Sequence, residues 1–208
     1  MSLDPRDIPP PPVENEPCNA IYESSETLKL LARRRSTKAG HFMEPGPSEA
    51  QLDALLRLAA RVPDHGKLAP WRFVVMAGEG RARAGEKLAA IVAHDGKDET
   101  QQGFARTLFT RAPICVMVVS SAAPHPKIPE WEQIQSASAA CFALLIAAHA
   151  MGFAGCWLTE WPTYDARARE ALGLAAHERI AGFLYLGTAR EPAIERFRPD
   201  LATRITRF

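Results

Sequence analysis

Apolar positions along the 208-residue chain switch between two periods. After Ser48, the residues Leu52, Leu55, Leu56 and Ala59 recur at i, i+3, i+4 and i+7, which is one face of an α-helix. Ser48-x-x-Gln51 ahead of them is a capping box, and Pro63 closes the pattern. Upstream, Leu28, Leu31 and Ala32 share a face in a helix expected over Glu26–Arg35, with Ser25 as its cap. Two runs have the other character. Arg72–Ala77 (RFVVMA) and Ile114–Ser120 (ICVMVVS) are β-rich, and the second predicts a strand buried on both faces. Ile180–Leu186 (IAGFLYL), closed by Gly187, predicts another buried strand, and Gly155–Leu158 a short one. Trp131–Met151 predicts a long helix whose apolar positions go nearly all the way round, which places it at the molecular centre. Further helices are expected over Arg81–Ala93, near Gln102–Phe109, and over Ala166–Leu172, ended by Gly173.

Strands interleaved with helices predict an α+β fold in three layers, α/β/α, about a mixed central sheet and the long buried helix. Residues 23–208 are expected to form this single domain. Residues 4–17 carry six prolines, with the run Pro9 to Pro12, so residues 1–22 are expected to be a disordered or polyproline-like tail.

Composition narrows the classes. Hydrophobic residues make up 47% and charged residues 24%, and the net charge of +1 lacks the basic surplus that bulk nucleic-acid or anionic-membrane binding requires. The longest unbroken apolar run, Ala139 to Ala148, is ten residues, short of the roughly 20 needed to span a membrane. No basic and apolar leader opens the chain. The four cysteines, Cys18, Cys115, Cys141 and Cys156, form no C-x-x-C pair, no disulfide framework and no zinc site. A reducing, cytoplasmic compartment is the expectation, with no metal. The glycine fingerprints of Rossmann and P-loop nucleotide sites are absent.

Four segments carry candidate chemistry. Arg33-Arg34-Arg35-Ser36-Thr37-Lys38 is the densest cationic stretch. Forked guanidinium groups with a hydroxyl at a chain reversal can grip a phosphate. The same charges also suit a solvated helix C-terminus. Arg61-Val62-Pro63-Asp64-His65-Gly66-Lys67-Leu68-Ala69-Pro70-Trp71-Arg72-Phe73 leads into the first long strand; on their own, Arg61 reads as a surface helix residue, His65 as a turn histidine and Trp71 as a core aromatic. Pro129-Glu130-Trp131-Glu132-Gln133-Ile134-Gln135-Ser136-Ala137 opens the long helix, with Gln133 and Ser136 either facing a pocket or packing inside. Gly152-Phe153-Ala154-Gly155-Cys156-Trp157-Leu158-Thr159 follows it.

In this order and spacing, over roughly residues 25–190, the four segments resemble the nitroreductase family, and in particular its compact NAD(P)H nitroreductase branch. The resemblance implies FMN as cofactor, with Arg34 and Ser36 on its phosphate, Arg35 between them, and Lys38 reaching the ribityl chain and the N1/O2 side of the flavin. Arg61, His65, Trp157, Leu158 and Thr159 match residues that contact FMN in that branch. Ala69 stands where the family usually has Gln, and Leu158 where others have Arg. A C-terminal basic residue often completes the phosphate grip, and Arg196, Arg198, Arg204 and Arg207 are available. The resemblance further implies a homodimer with FMN at the subunit interface. It implies hydride transfer from NADH or NADPH to small electron-poor acceptors such as nitroaromatics or quinones, by a ping-pong course. Such chemistry is the cofactor's and needs no side-chain acid or base, so no catalytic residue is assigned. The alternative is a flavin-binding protein without NAD(P)H turnover.

Overall fold

A computed structural model describes residues 8–18 and 22–208. Helices α1 (Ser25–Arg33), α2 (Glu49–Ala59), α3 (Glu79–His94), α4 (Glu99–Arg106), α5 (Glu130–Ala150) and α6 (Ala166–Ala171) alternate with strands β1 (Phe42–Met43), β2 (Trp71–Ala77), β3 (Ile114–Ser120), β4 (Ala154–Leu158) and β5 (Arg179–Ala189). The β-branched run predicted for β3 is observed with the same bounds. The capping box of α2 is formed: the Ser48 hydroxyl accepts from Gln51 N–H and the Gln51 side chain accepts from Ser48 N–H. The cap of α1 is Ser24 rather than Ser25, and the helix stops at Arg33, because Arg34 turns to an extended backbone (ψ 138°).

β5 is the hub of the sheet, pairing with β1, β3 and β4, while β2 extends the sheet beyond β3. The expected mixed sheet is corrected in this respect: every pairing among the described residues is antiparallel. For β2 and β3 the reason lies in their connection. It is two helices out and back, with Gly85 of α3 lying against the Arg106 carbonyl of α4. The chain therefore re-enters at the end it left, and β3 must run opposite to β2. A single helical crossover would have made them parallel.

The sheet separates two cores. Cys115, Met117 and Val119 of β3 pack with Phe183 and Tyr185 against the α3, α4 and α6 side. Their alternates Val116 and Val118 pack with Leu184 and Leu186 against α2 and α5. This is the period of two expected of a strand buried on both faces, and it gives the three predicted layers. α5 is long and apolar, but half of its most apolar stretch is packed inside the fold. Its polar residues Gln133 and Ser136 are tied inward: Gln133 bonds the backbone of Ala123 and Ile128, and Ser136 donates to Pro63 O at 2.7 Å. Both are packing positions. Trp71 belongs there too, its indole donating to Ser136 Oγ at 3.1 Å.

Of the expected tail, residues 1–7 and 19–21 lie outside the described residues. Ile8 packs against the α2–α5 core, and residues 9–18 are exposed.

One surface is unusual for a folded chain. α1 buries none of its residues, and Leu28 and Leu31 on its apolar face are 68% and 46% exposed. On α5, Trp131, Ile134 and Phe142 are exposed as well. Two neighbouring helices thus present an uncovered apolar face.

Candidate functional site

Six of the predicted site residues fall into two groups, at opposite ends of α5, and the other three lie at the end of β4. The first group follows α1. Because Arg34 leaves the helix, the segment from Arg34 to Lys38 runs across the start of β4, and Thr37 N–H donates to Gly155 O at 3.0 Å. That bond joins the first motif to the fourth. Arg35, Ser36, Thr37 and Lys38 line a cavity of about 350 Å³ together with the C-terminal segment from Glu191 to Ile194 and with Arg196. The guanidinium of Arg35 is held by the Ile194 carbonyl, and by Glu195 at 3.7 Å. His41, on the rim, pairs with Glu191 at 3.0 Å. Arg34 is half-buried, and its Nε has no hydrogen-bond partner.

The second group precedes β2. The loop after α2 is tight: Gly66, Lys67 and Ala69 all have positive φ. The Asp64 carboxylate holds it by accepting from Leu68 N–H and Ala69 N–H at 3.2 and 2.7 Å. This fixes His65 beside the first turn of α5, where its Nδ1 lies 2.6 Å from Glu132 Oε2. A carboxylate only accepts, so Nδ1 carries the hydrogen of this contact. Arg61 is exposed nearby, its guanidinium 4.0 Å from Cys18 Sγ.

Trp157, Leu158 and Thr159 lead out of the sheet from β4. A β-bulge shifts the β3–β5 register between Val118 and Val119, opposite Gly182 and Ile180, so Ala181 is unpaired with β3. Its carbonyl is free to accept the Trp157 indole N–H at 3.0 Å. Gly182 is required for this: a Cβ there would lie 1.9 Å from Trp157 Nε1. The Leu158 side chain packs into the α3–α4–α6 core. Thr159 accepts at its carbonyl from the Thr163 hydroxyl, and its own hydroxyl lies 3.0 Å from Tyr164 Oη. The next residue, Glu160, has φ 48° and is pinned by Arg111 at 2.5 Å and by Tyr185 Oη at 3.1 Å. Sequence reading missed this Arg111–Glu160–Tyr185 brace, because its members come from three separate elements.

It also missed His149, and of the four C-terminal arginines it left open, Arg196 is the one that lines the cavity. His149, in the last turn of α5, has a buried Nδ1 without a partner. Burial, then the charge of Arg34, holds its pKa below the ordinary histidine value. A single polar residue at the end of the Ala139–Ala148 apolar run was the available signal.

Glu132 and His149 are seventeen residues apart on one helix, and at ~1.5 Å rise per residue that is roughly 25 Å. The two groups of site residues therefore stand, in one chain, by helix positions roughly 25 Å apart.

Fold and site together define a three-layer α/β/α domain with cationic and polar groups displayed at both ends of a central helix. The Nitroreductase family model matches residues 31–188, so the chain belongs to the nitroreductase family. It is 39% identical, over 184 residues, to the Escherichia coli (strain K12) protein named "Putative NAD(P)H nitroreductase YdjA", a match covering 88% of this chain and all of that one. A relative from Haemophilus influenzae, with the same name apart from the YdjA label, is 35% identical over 81% of this chain and 91% of its own. Among solved structures, a nitroreductase-like family protein from Bacillus cereus superposes with a TM-score of 0.76 at 20% identity, covering 91% of this chain and 99% of that one. A nitroreductase with bound FMN from Bacteroides fragilis gives 0.66 at 22% identity, over 89% and 100%.

Proposed function

We propose that the protein is an FMN-dependent oxidoreductase that draws electrons from NADH or NADPH and passes them to small electron-poor acceptors such as nitroaromatics or quinones, working as a homodimer. Family membership, the naming of the E. coli relative as an NAD(P)H nitroreductase and the FMN bound by the B. fragilis protein support this reading. The observation that carries it is the cationic turn from Arg34 to Lys38, docked on Gly155 and bordering a cavity.

The donor set suits a flavin phosphate. Arg35, Ser36, Lys38 and Arg196 meet at the cavity, and Arg34 stands beside it with a buried donor unused. Arg34 and Ser36 would hold the phosphate, with charge-assisted bonds that are stronger than neutral ones. Lys38 would place positive charge by the ribityl chain and the N1/O2 side, where it stabilises a more negative ring. Thr159, beside Trp157 and Leu158, would offer backbone groups and a hydroxyl at the ring. FMN, when bound, supplies the two-electron redox chemistry itself.

Arg61 and His65 are too far from this group to share its flavin within one chain. Two copies packed with their α5 helices antiparallel, as a two-fold axis allows, bring the first turn of one helix to the last turn of the other. Arg61 and His65 of one copy then complete the site of its mate. The uncovered apolar faces of α1 and α5 are the surface such packing would bury. The test is steady-state turnover. In the absence of oxygen, FMN-loaded protein should oxidise NADH or NADPH beyond one equivalent per flavin only when a nitroaromatic or quinone is added, with parallel double-reciprocal lines. Loaded protein that oxidises neither coenzyme overturns the reading.

A further inference from the structure

Among the described residues, two buried side-chain polar atoms lack a hydrogen-bond partner, Arg34 Nε and His149 Nδ1. They are chemically complementary. An arginine Nε–H can only donate, and the unprotonated nitrogen of a neutral imidazole accepts. They are also neighbours. Thr37 N–H, three residues after Arg34, donates to Gly155 O at 3.0 Å, which sets the Arg34 turn against the strand that follows the last turn of α5, where His149 sits. Burial and then the Arg34 charge lower the imidazole pKa, and contact with the Gly155 backbone raises it. Since Nδ1 is unpartnered, the contact with Gly155 belongs to Nε2. The ring proton therefore sits on Nε2, and Nδ1 keeps its lone pair. Burial favours this neutral form.

We propose that His149 is a positioning residue for the phosphate grip: its Nδ1 takes the Nε–H of Arg34, directly or through one water, and so turns the two terminal nitrogens of that guanidinium toward the FMN phosphate. The proposal rests on the reading of Arg34 as a phosphate ligand. A guanidinium has five donors in a rigid plane, so fixing Nε fixes the direction of the rest. His149 thereby carries α5 into the cofactor site without touching the cofactor. Gly155 ties the two sides together, its backbone meeting the imidazole and holding the Arg34–Lys38 segment through the Thr37 bond.

The experiment is titration of FMN and of riboflavin, which lacks the phosphate, into flavin-free full-length protein and its variants. His149→Leu should weaken FMN binding roughly tenfold and leave riboflavin affinity unchanged. His149→Asn puts a carboxamide oxygen where Nδ1 was and should keep wild-type FMN affinity. His149→Gln reaches the Nε2 place at Gly155 instead and should behave like His149→Leu. In an Arg34→Ala background, His149→Leu should add nothing. The Asn and Gln variants, both polar and near native size, carry the test if the Leu variant folds poorly. Rescue by Gln and not by Asn overturns the proposal, as does equal loss of both flavins or no loss of FMN affinity. Arg34→Ala alone separates the levels: if it leaves FMN affinity intact, the phosphate reading of Arg34 falls and the role of His149 with it.

Discussion

His65 Nδ1 lies 2.6 Å from Glu132 Oε2, joining the loop after α2 to the first turn of α5 across 67 positions of sequence. Arg34 lies at the other end of the same helix, within the electrostatic reach of His149. The geometry of a single chain thus splits the candidate site in two.

In the proposed two-chain site, with Arg34 and Ser36 on the phosphate, His65 of the mate would meet the ring side of the flavin. His65→Ala should weaken FMN and riboflavin binding alike, by several-fold to roughly tenfold, the effect of one hydrogen bond to a polar partner. Glu132→Gln should produce a milder loss of the same kind, since the carboxylate orients the ring. Titration with both flavins checks this. A loss confined to FMN would move His65 to the phosphate side, and unchanged affinities would leave it a turn histidine.

Arg34 and Ser36 are assigned to the phosphate. Hydrogen bonds to a charged group contribute about 1.5–3 kcal/mol each, so Arg34→Ala with Ser36→Ala should weaken FMN binding by on the order of a hundredfold or more. Riboflavin affinity should barely change. Equal losses would show that the segment supports the fold or the ring, and no loss would return it to a solvated helix end.

A site built from both ends of α5 requires two chains. Light scattering of flavin-loaded protein should give twice the chain mass of 22.8 kDa. Phe142 is 44% exposed on the open face of α5, so Phe142→Glu with Ile134→Glu should yield a folded monomer that no longer retains FMN. A wild-type mass near that of one chain, with flavin bound, would contradict the assembly.

Acid stability should depend on Glu178. Its buried carboxylate accepts two bonds from Arg72 at 2.7 Å and one from Ala175 N–H at 2.8 Å. Chiefly through the Arg72 bonds, its pKa falls from 4.5 to about 2. A depressed carboxylate stabilises the fold above its unfolded pKa and loses that contribution as pH falls through the folded one. Glu178→Gln should therefore cost roughly 1–3 kcal/mol at neutral pH. The gap from wild type should narrow below about pH 4.5 and close near pH 2. Melting curves across that range check it; a gap that does not change with pH would contradict the ionic role.

Much of the fold was legible because periodicity is local. β3, α2 with its capping box, and α5 follow from patterns within a single window of sequence. What stayed hidden depends on direction and on distant partners. The antiparallel pairing of β2 with β3 follows from the out-and-back packing of α3 on α4, which turns on a contact between Gly85 and Arg106. β1 is two residues long and owes its existence to pairing with β5. The early end of α1 was unreadable too, since Arg34 and Arg35 are good helix formers; the Thr37–Gly155 bond pulls the chain away instead.

The candidate site residues were named through resemblance to the family, residue by residue, but their partition between the two ends of α5 was not foreseen. Spacing along the chain put Arg34 and Arg61 twenty-seven positions apart and said nothing of which end of α5 each would reach. Burial on α5 was only half legible. Apolar positions all round the helix predicted a fully central element, yet Trp131 is 65% exposed. An apolar side chain looks the same in sequence whether its own chain or another copy covers it.

The central claim, a flavin that accepts electrons from a nicotinamide coenzyme, is tested most directly by one absorbance spectrum. The purified full-length protein, supplied with FMN and freed of excess, is recorded without oxygen before and after NADPH, and again with NADH. The account predicts a yellow protein with flavin bands that bleach on addition of at least one coenzyme and return when a quinone is added. A protein that stays colourless after FMN would contradict the site, and a yellow protein that neither coenzyme bleaches would contradict the enzyme.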